Sequence, residues 1–173
     1  MSRLSRRMIL AGAGAGAAAL GGTLAWRRLH PVAVSEAAEG FWGRHFTAPD
    51  GRAIEPSTWR GQPLLVNFWA TWCPPCVKEL PEINQFYNEA KARGWQVLGL
   101  AVDQAEPVKA FLQKSPLDFP VALAGSEGTG LVRTLGNPAG GLPFSLVFDS
   151  NGEISWRRLG VSRLEELRAL LRS

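Results

Sequence analysis

Two stretches of the chain are apolar at almost every position, the pattern of strands buried on both faces of a sheet. They cover residues 64–70 (LLVNFWA) and 95–102 (WQVLGLAV). Between them, residues 77–93 place apolar side chains three or four positions apart, as on one face of a helix, and Gly94 follows as a stop signal. This order predicts a strand, a helix and a second strand that lies parallel to the first.

The second half of the chain continues this alternation and then changes. Residues 149–152 (DSNG) form a hairpin turn signal, and Ser162 with Glu165 three residues later forms a capping box for a last helix. The pattern predicts one α/β sandwich with parallel strands first, an antiparallel hairpin later and helices on both faces. The predicted helices cover residues 106–114, 127–135 and 163–171, and the predicted strands cover 119–124, 144–148 and 154–159.

A smaller extended motif precedes these elements. The turn sequence at residues 49–51 (PDG) stands between two short extended runs, residues 41–48 and 52–54. This arrangement predicts a small N-terminal β-hairpin. One helical turn is expected at residues 57–60, and the Gly-Gln-Pro that follows ends it before the first buried strand.

Residues 1–35 have the character of an export leader and are set apart from the fold. The leader starts with basic and polar residues, and residues 8–26 carry no charge but are rich in Ala and Gly. Residues 5–10 (SRRMIL) resemble the twin-arginine export signal, with Arg6 and Arg7 as its arginine pair. We therefore expect a leader that contacts the membrane or the translocase. A cleaved signal peptide and a retained membrane anchor both stay open.

The positive charge of the chain is concentrated in this leader. The whole chain has 19 Lys and Arg against 15 Asp and Glu, a net charge of +4. Residues 1–30 hold five Arg and no acidic residue, so the rest of the chain carries 14 basic and 15 acidic side chains. Nucleic-acid binders typically have a basic surface, so we expect no nucleic-acid partner. Residues 36–173 are enough for one domain with its own core.

The two cysteines form a Cys-Pro-Pro-Cys motif between the first buried strand and the helix that follows. The dipole and the free backbone N–H groups of a helix N-terminus stabilise a thiolate, so Cys73 is the candidate nucleophile. The spacing places Cys76 on the first helical turn, where its thiol can resolve a mixed disulfide formed by Cys73. The motif therefore predicts thiol-disulfide exchange.

The two prolines of the motif bear on the direction of this exchange. Neither Pro74 nor Pro75 has a backbone N–H, so fewer donors are available to the Cys73 sulfur. We expect its thiolate to be less stabilised than in a strongly oxidising relative with a His in the motif. The reduction potential depends on how well the reduced, thiolate form is stabilised. The weaker stabilisation of the Cys73 thiolate therefore favours a reductase. A disulfide oxidase or isomerase is the alternative.

The two cysteines could also serve functions other than thiol-disulfide exchange. A structural zinc site needs four ligands, whereas the chain has two Cys and two His, and His30 lies in the leader region. A purely structural disulfide between residues three apart stabilises little by chain entropy. Peroxiredoxins have Thr or Ser three residues before the cysteine, where this chain has Ala70. A non-catalytic thiol metallochaperone stays open as an alternative.

Residues 64–81 (LLVNFWATWCPPCVKELP) resemble the active-site segment of thioredoxin-fold proteins, and most closely the envelope thiol-disulfide reductases of the TlpA/ResA type. The resemblance implies a thioredoxin-like three-layer sandwich with a mixed central sheet. It also implies that Pro143 is a cis proline facing the cysteines, and that the backbone of Leu142 contacts an extended client. Trp72 is adjacent to Cys73, and we expect it to be part of the exposed contact surface. The family usually has Thr after this proline, and Phe144 in its place bears on client preference.

A second departure concerns proton handling. Cytoplasmic thioredoxins have a buried Asp at the position of Asn67, and Asn cannot take a proton. Envelope reductases have a Glu three residues after the second cysteine, and Glu79 matches it. The resemblance therefore implies that Glu79 tunes or deprotonates Cys76. The alternative is a solvated glutamate on the helix face.

Together these observations predict an exported thiol-disulfide oxidoreductase with Cys73, Cys76 and Glu79 as catalytic residues. We expect a monomer in the periplasm or on the outer face of the cytoplasmic membrane. The redox-active disulfide needs no bound cofactor, and no metal is expected. The resemblance implies protein clients with disulfides, such as apocytochrome c during cytochrome c biogenesis. It also implies re-reduction by a membrane electron donor of the DsbD/CcdA kind.

Overall fold

The computed structural model describes residues 31–172, with side chains from residue 36 onward. The predicted leader, residues 1–35 with the arginine pair Arg6 and Arg7, lies outside these described residues except where the first helix begins. In the part of the chain that the structure describes, no helix has the length and apolar character needed to cross a membrane.

Contacts divide the chain into two units, Met1–Glu36 and Ala37–Ser173, and the second unit holds the elements that build the site. Short 3₁₀ turns cover Pro56–Trp59, Lys91–Arg93 and Gly125–Glu127. The α-helices are α1 (Pro31–Trp42), α2 (Pro74–Ala90), α3 (Ala105–Lys114), α4 (Gly128–Thr134) and α5 (Leu164–Leu170). The strands are β1 (Phe46–Thr47), β2 (Ala53–Ile54), β3 (Leu64–Trp69), β4 (Gln96–Ala101), β5 (Val121–Leu123), β6 (Phe144–Phe148) and β7 (Ile154–Leu159).

The described strands form one mixed sheet in the order β2-β1-β5-β4-β3-β6-β7. Strand β3 lies in its interior, parallel to β4 and antiparallel to β6, with Phe68 opposite Phe144. Strands β4 and β5 are parallel, and β6 and β7 form the predicted antiparallel hairpin. The small β1–β2 hairpin pairs with β5 at the other edge. The mixed sheet and the N-terminal hairpin are thus confirmed.

Successive side chains of β3 point to opposite faces of the sheet and enter two separate cores. Val66 and Phe68 pack in a cluster with α1 and α4. Leu65 and Trp69 pack in a second cluster with α2, α3 and α5. Every residue of β3 is buried, as the apolar run predicted. The domain is therefore a three-layer sandwich with helices on both faces, the thioredoxin-like architecture expected from the sequence.

The main departure from the predicted fold is at the N-terminal end. Residues 41–48 were expected to be extended, but Phe41 and Trp42 are the last residues of α1, and only Phe46–Thr47 forms a strand. Phe41 stacks on Phe148 with 4.7 Å between ring centroids, and Trp42 Nε1 donates a hydrogen bond of 2.8 Å to the carbonyl of Gly152. The helical spacing brings both aromatic rings onto the same core, which an extended chain would not do.

The start of helix α2 and the capping of helix α5 also differ from the prediction. Helix α2 begins at Pro74 rather than at residue 77, because proline is well suited to the first turn of a helix, where its missing N–H is not needed. Helix α5 begins at Leu164, and its N-terminal N–H partner is Glu166, whose Oε2 accepts from Arg163 N at 3.3 Å. The predicted capping box of Ser162 and Glu165 is therefore wrong, since Ser162 is fully buried and binds Ser145.

Candidate active site

Cys73 and Cys76 are joined in a disulfide at the start of α2, with 5.3 Å between their Cα atoms. Cys73 is the N-cap residue of the helix, directly after the loop that leaves β3. Cys73 retains 5% of its surface exposed, whereas Cys76 is completely buried. Because only the first cysteine can be reached from solvent, the geometry favours Cys73 as the point where another sulfur enters and Cys76 as its internal partner.

The two prolines occupy the first positions of α2, as N1 and N2. The first backbone N–H groups of the helix therefore belong to Cys76 and Val77, and Val77 N donates to the carbonyl of Cys73 at 3.1 Å. A helix N-terminus with N–H groups at all its first positions would offer more donors to a thiolate on Cys73. This arrangement agrees with the weaker thiolate stabilisation expected from the sequence.

The other residues predicted to contact a client lie at the same edge of the sheet. Since β6 is antiparallel to β3 with Phe68 opposite Phe144, Pro143 lies beside the end of β3 from which the cysteine motif follows. The Leu142–Pro143 peptide bond is cis, as the resemblance implied. Trp72 is exposed over 65% of its surface, and Leu142 is half-buried.

A surface groove of about 610 Å³ opens beside the motif. Trp72 forms one wall, and Val102, Asp103, Leu123 and Thr129 contribute to the rest. The groove places an exposed aromatic ring next to half-buried apolar side chains and a carboxylate. Trp72 is the only exposed side chain of the loop between β3 and Cys73. A polypeptide bound at Cys73 would therefore contact this groove.

Glu79 lies on α2 one helical turn after Cys76 and is completely buried. Its Oε1 accepts a hydrogen bond of 2.7 Å from Asn67 Nδ2, and its Oε2 accepts one of 2.6 Å from the backbone N–H of Ser162. Burial raises the pKa of Glu79 from 4.5 to about 7, while the hydrogen bonds from Ser162 and Asn67 act to lower it. The alternative of a solvated glutamate on the helix face is therefore wrong.

Glu79 belongs to a buried polar network that the sequence did not predict. Asn67 Nδ2 also donates to Ser145 Oγ at 3.0 Å, and Ser162 Oγ donates to the same oxygen at 3.1 Å. Asn67 Oδ1 has no hydrogen-bond partner within the described residues. The sign that could have revealed Ser145 is that it is the single polar residue in the buried strand FSLVF, where an unpaired hydroxyl would be costly.

Two charged side chains face this network from its rim. Glu82, one turn further along α2, accepts a hydrogen bond of 2.5 Å from Leu164 N. Arg158 on β7 forms an ion pair of 3.1 Å with Glu166 and donates to the carbonyl of Val161. Through space, Glu82 raises the pKa of Glu79 and Arg158 lowers it, both less than burial does. The segment between β7 and α5, with the first residue of α5, thus closes over Glu79 and Glu82 of α2.

Asp103 is a second residue that sequence reasoning missed. Its Oδ2 accepts hydrogen bonds from both Thr71 N and Thr71 Oγ1, two residues before Cys73. Its position could have been a signal, since Asp103 follows the buried strand β4, and the carboxyl ends of neighbouring parallel strands meet at one edge of a sheet. Asp103 and the cysteine motif follow two such neighbours, β4 and β3.

The described residues also bear on metal binding. Among them, no group of three or more His, Cys, Asp or Glu is placed to hold a metal ion. His45, the one histidine in this part of the chain, has a largely exposed side chain whose Nδ1 lies 3.4 Å from Glu55 Oε1. The reactive groups that the structure brings together here are the two sulfurs and the buried carboxyl group of Glu79.

The sequence of this chain is similar to those of a known family and of several curated proteins. The sequence model of the Redoxin family matches residues 34–171. Curated relatives include the thiol-disulfide oxidoreductase ResA of a Bacillus cereus strain, 35% identical over 70% of this chain and 69% of the relative. ResA of Geobacillus kaustophilus is 33% identical over 73% of this chain and 75% of the relative.

Two solved structures illustrate the shared fold. A thioredoxin-family thiol:disulfide interchange protein from Chlorobium tepidum TLS superposes with a TM-score of 0.66 at 28% identity, over 75% of this chain and 90% of that one. StoA from Bacillus subtilis superposes with a TM-score of 0.61 at 26% identity, over 74% of this chain and 95% of that one.

Proposed function

Because this chain belongs to the Redoxin family and is a thiol-disulfide oxidoreductase, we propose that it reduces disulfide bonds of client proteins outside the cytoplasm. One observation carries the proposal: the Cys73–Cys76 disulfide lies at the N-terminus of α2, only Cys73 of the two retains any surface exposure (5%), and the buried carboxyl of Glu79 lies one turn further along the helix. This arrangement supplies a nucleophile, a resolving thiol and a proton acceptor in the order that the reaction needs them.

The reaction starts from the dithiol form. The Cys73 thiolate attacks one sulfur of the client disulfide, a bond forms between Cys73 and that sulfur, and the other client sulfur leaves as a thiolate. Cys76 then loses its proton and attacks Cys73 Sγ, which closes the Cys73–Cys76 disulfide and releases the second client thiolate. Two electrons pass from the enzyme to the client, and the released client thiolates take up protons.

Glu79 is the proposed acceptor of the Cys76 proton. Residues three apart on a helix are neighbours, with roughly 5–6 Å between their Cβ atoms, so the carboxyl is within reach of the thiol directly or through one water. A carboxyl with a pKa of about 7 is matched to this task near neutral pH, because it can both take and return a proton. Cys76 is completely buried, so no solvent base competes for the same proton.

We place the client along the edge of the sheet that carries the motif. The backbone of Leu142 would pair with an extended client segment, Pro143 would face the cysteines, and Trp72 would contact the client side chains. Phe144 is completely buried, so its substitution for the usual Thr would act on client choice through packing rather than by direct contact. Apocytochrome c with an oxidised cysteine pair is the client class that the family resemblance supports.

The predicted leader supports an extracytoplasmic location, in the periplasm or on the outer membrane face. There the oxidised enzyme needs an electron source across the membrane, and we propose a donor of the DsbD/CcdA kind. The cysteine pair carries the electrons itself, so the proposed reaction uses no bound cofactor. The prolines at N1 and N2 support the reducing direction, since they withhold two N–H donors from the Cys73 thiolate.

The experiment that tests this function is the reduction potential of the full chain in glutathione and dithiothreitol buffers, followed by Trp fluorescence. A value at or below about −230 mV supports a reductase, and a value near about −120 mV makes the protein an oxidase. Cys76→Ser is then mixed with a disulfide-containing client. A trapped mixed disulfide on Cys73 is expected, and none with Cys73→Ser. Absence of a reversible couple, with stoichiometric binding of copper or zinc, would replace the proposal by a metallochaperone.

A further inference from the structure

The loop between β3 and Cys73 is held by a carboxylate from another part of the sheet. Asp103 Oδ2 accepts hydrogen bonds from Thr71 N at 3.0 Å and from Thr71 Oγ1 at 2.6 Å. Its Oδ1 accepts a third bond of 2.8 Å from Gln104 N, at the start of α3. Bonds to an ionised acceptor are stronger than bonds between neutral groups. One side chain therefore fixes both the loop before Cys73 and the turn that follows β4.

The loop has few other anchors of its own. Cys73 N donates to the carbonyl of Ala70 at 3.2 Å, and Val102 N donates to the carbonyl of Trp69 at 2.8 Å, where the strand ladder ends. Trp72 stands between these points with 65% of its surface in solvent. The bonds to Asp103 are thus the ones that set where the chain turns from the buried strand to the exposed Trp72 and the reactive Cys73.

We propose that Asp103 is a positioning residue for client reduction: by fixing Thr71 it aims Trp72 and Cys73 at a bound protein disulfide. The inference rests on the proposed role of Cys73 as nucleophile. Exchange requires the attacking sulfur to approach one particular sulfur of the client, and small misplacements of reacting groups carry a large cost in rate. Asp103 also lines the groove beside Trp72, so the same side chain shapes the surface that the client meets.

The substitutions separate hydrogen bonding from charge. Asp103→Ala removes all three bonds, whereas Asp103→Asn removes the charge and retains one oxygen that can accept both bonds from Thr71. Thr71→Val removes only the hydroxyl bond, and Thr71→Ser keeps it. Asp149→Ala is the matched control, because Asp149 Oδ1 accepts backbone N–H bonds of 2.8 Å from Asn151 and 3.1 Å from Glu153 at the opposite edge of the sheet.

The measurement is kcat and KM for two substrates, insulin as a protein disulfide and 5,5′-dithiobis(2-nitrobenzoic acid) as a small one. Asp103→Ala should lower kcat/KM for insulin about tenfold or more and for the small disulfide less than about threefold, because a small molecule can orient itself to a displaced sulfur. Asp103→Asn and Thr71→Ser should stay within about threefold of wild type with insulin. The kcat/KM of Thr71→Val for insulin should lie between those of wild type and Asp103→Ala. The double variant with Thr71→Val and Asp103→Ala should have the same kcat/KM as Asp103→Ala alone.

The inference is overturned if Asp103→Ala reduces insulin as fast as wild type. It is also overturned if Asp103→Ala lowers kcat/KM equally for both substrates, or if Asp149→Ala lowers kcat/KM for insulin as much as Asp103→Ala does. Should Asp103→Ala fail to fold, Thr71→Val against Thr71→Ser decides the question, since equal insulin rates for these two would overturn it. A wild-type protein that reduces neither substrate would instead contradict the proposed function, so the two failures are distinguishable.

Discussion

Ser162 donates its backbone N–H to Glu79 Oε2 across 2.6 Å, although 83 residues separate the two in the chain. The bond joins the loop before the last helix to the carboxyl that lies one turn behind Cys76. Asn67 donates to the other oxygen of the same carboxyl. A charged Glu79 can accept both bonds, whereas a protonated Glu79 has one oxygen that must act as a donor. Its protonation state is therefore coupled to the packing of this loop.

Glu79→Gln should slow the resolving step of disulfide exchange near pH 7 by on the order of 10²-fold, because Cys76 loses its proton acceptor. Gln presents one acceptor and one donor, as the protonated carboxyl does, so the fold is retained. The mixed disulfide with a client should accumulate and can be measured by acid quench.

Glu82→Gln is the matched control for this variant. Glu82 lies one turn further along α2 and accepts a backbone N–H from Leu164, the first residue of α5, directly after the same loop. It is not the neighbour of Cys76, so its loss should leave the rate of resolution near that of wild type. Equal slowing in both variants would show that Glu79 acts only by holding the loop.

The stability of the oxidised protein should fall as pH rises from about 4.5 to about 7. The pKa of Glu79 is raised from 4.5 to about 7 in the folded state, so the folded protein holds this proton longer than the unfolded chain does. The stabilising effect is complete below pH 4.5 and is lost as pH passes 7. From the size of the shift the loss is at most about 3 kcal/mol.

The measurement is urea unfolding of wild type and Glu79→Gln at several pH values. The difference in unfolding free energy between them should change across this window and be constant above it. Glu89, whose pKa the hydrogen bond from Arg168 lowers to about 2, gains or loses its proton below this window and should not interfere. A difference that stays flat between pH 4.5 and 7 would contradict the assignment.

Asn67→Leu should raise the pKa of Glu79 above about 7. The Asn67 amide donates to Glu79 Oε1 and stabilises the charged form, and Leu leaves a similar volume without a donor. The midpoint of the pH dependence of the resolving step should therefore move upward. Ser145→Ala is the control, because it removes a partner of Asn67 but leaves the bond between Asn67 and Glu79. An unchanged midpoint in Asn67→Leu would mean that the bond from Asn67 does not contribute to the pKa of Glu79.

Most of the fold could be predicted from the sequence because the strongest sequence signals are local. The nearly continuous apolar run at β3 and the helical spacing after Cys76 both hold in the structure, within three residues at their ends. Helix α1 was missed because Ala38, Phe41 and Trp42 follow a segment interpreted as leader and precede a turn motif that favoured an extended run. Their spacing of three and four positions was the available sign of a helix.

The site could be predicted only where its residues are neighbours in the chain. Cys73, Cys76 and Glu79 lie within one short segment and match a known pattern. Ser145 is 78 residues from Asn67, and Thr71 is 32 from Asp103, so the bonds between them arise from the packing of strands and loops. No local preference of the chain marks such pairs, although a lone polar residue in a buried strand is a sign that a partner must exist.

Replacing Trp42 should show that α1 is part of the folded domain. Trp42 is 1% exposed, lies 4.8 Å from the Phe148 ring and donates to the carbonyl of Gly152 at 2.8 Å. Trp42→Ala should lower the free energy of unfolding by about 3–5 kcal/mol through the cavity it leaves. Trp42→Phe should cost about 1–3 kcal/mol, since it keeps most of the packing but leaves a buried carbonyl without its donor.

Trp72→Ala is the control for this pair, because it removes the same side chain from a position that is 65% exposed. Its unfolding free energy should stay within about 0.5 kcal/mol of wild type, as expected for a surface substitution. Urea unfolding followed by far-UV circular dichroism avoids the change in tryptophan fluorescence. If Trp42→Ala proved as stable as Trp72→Ala, the aromatic end of α1 would add nothing to the stability of the core around Phe148.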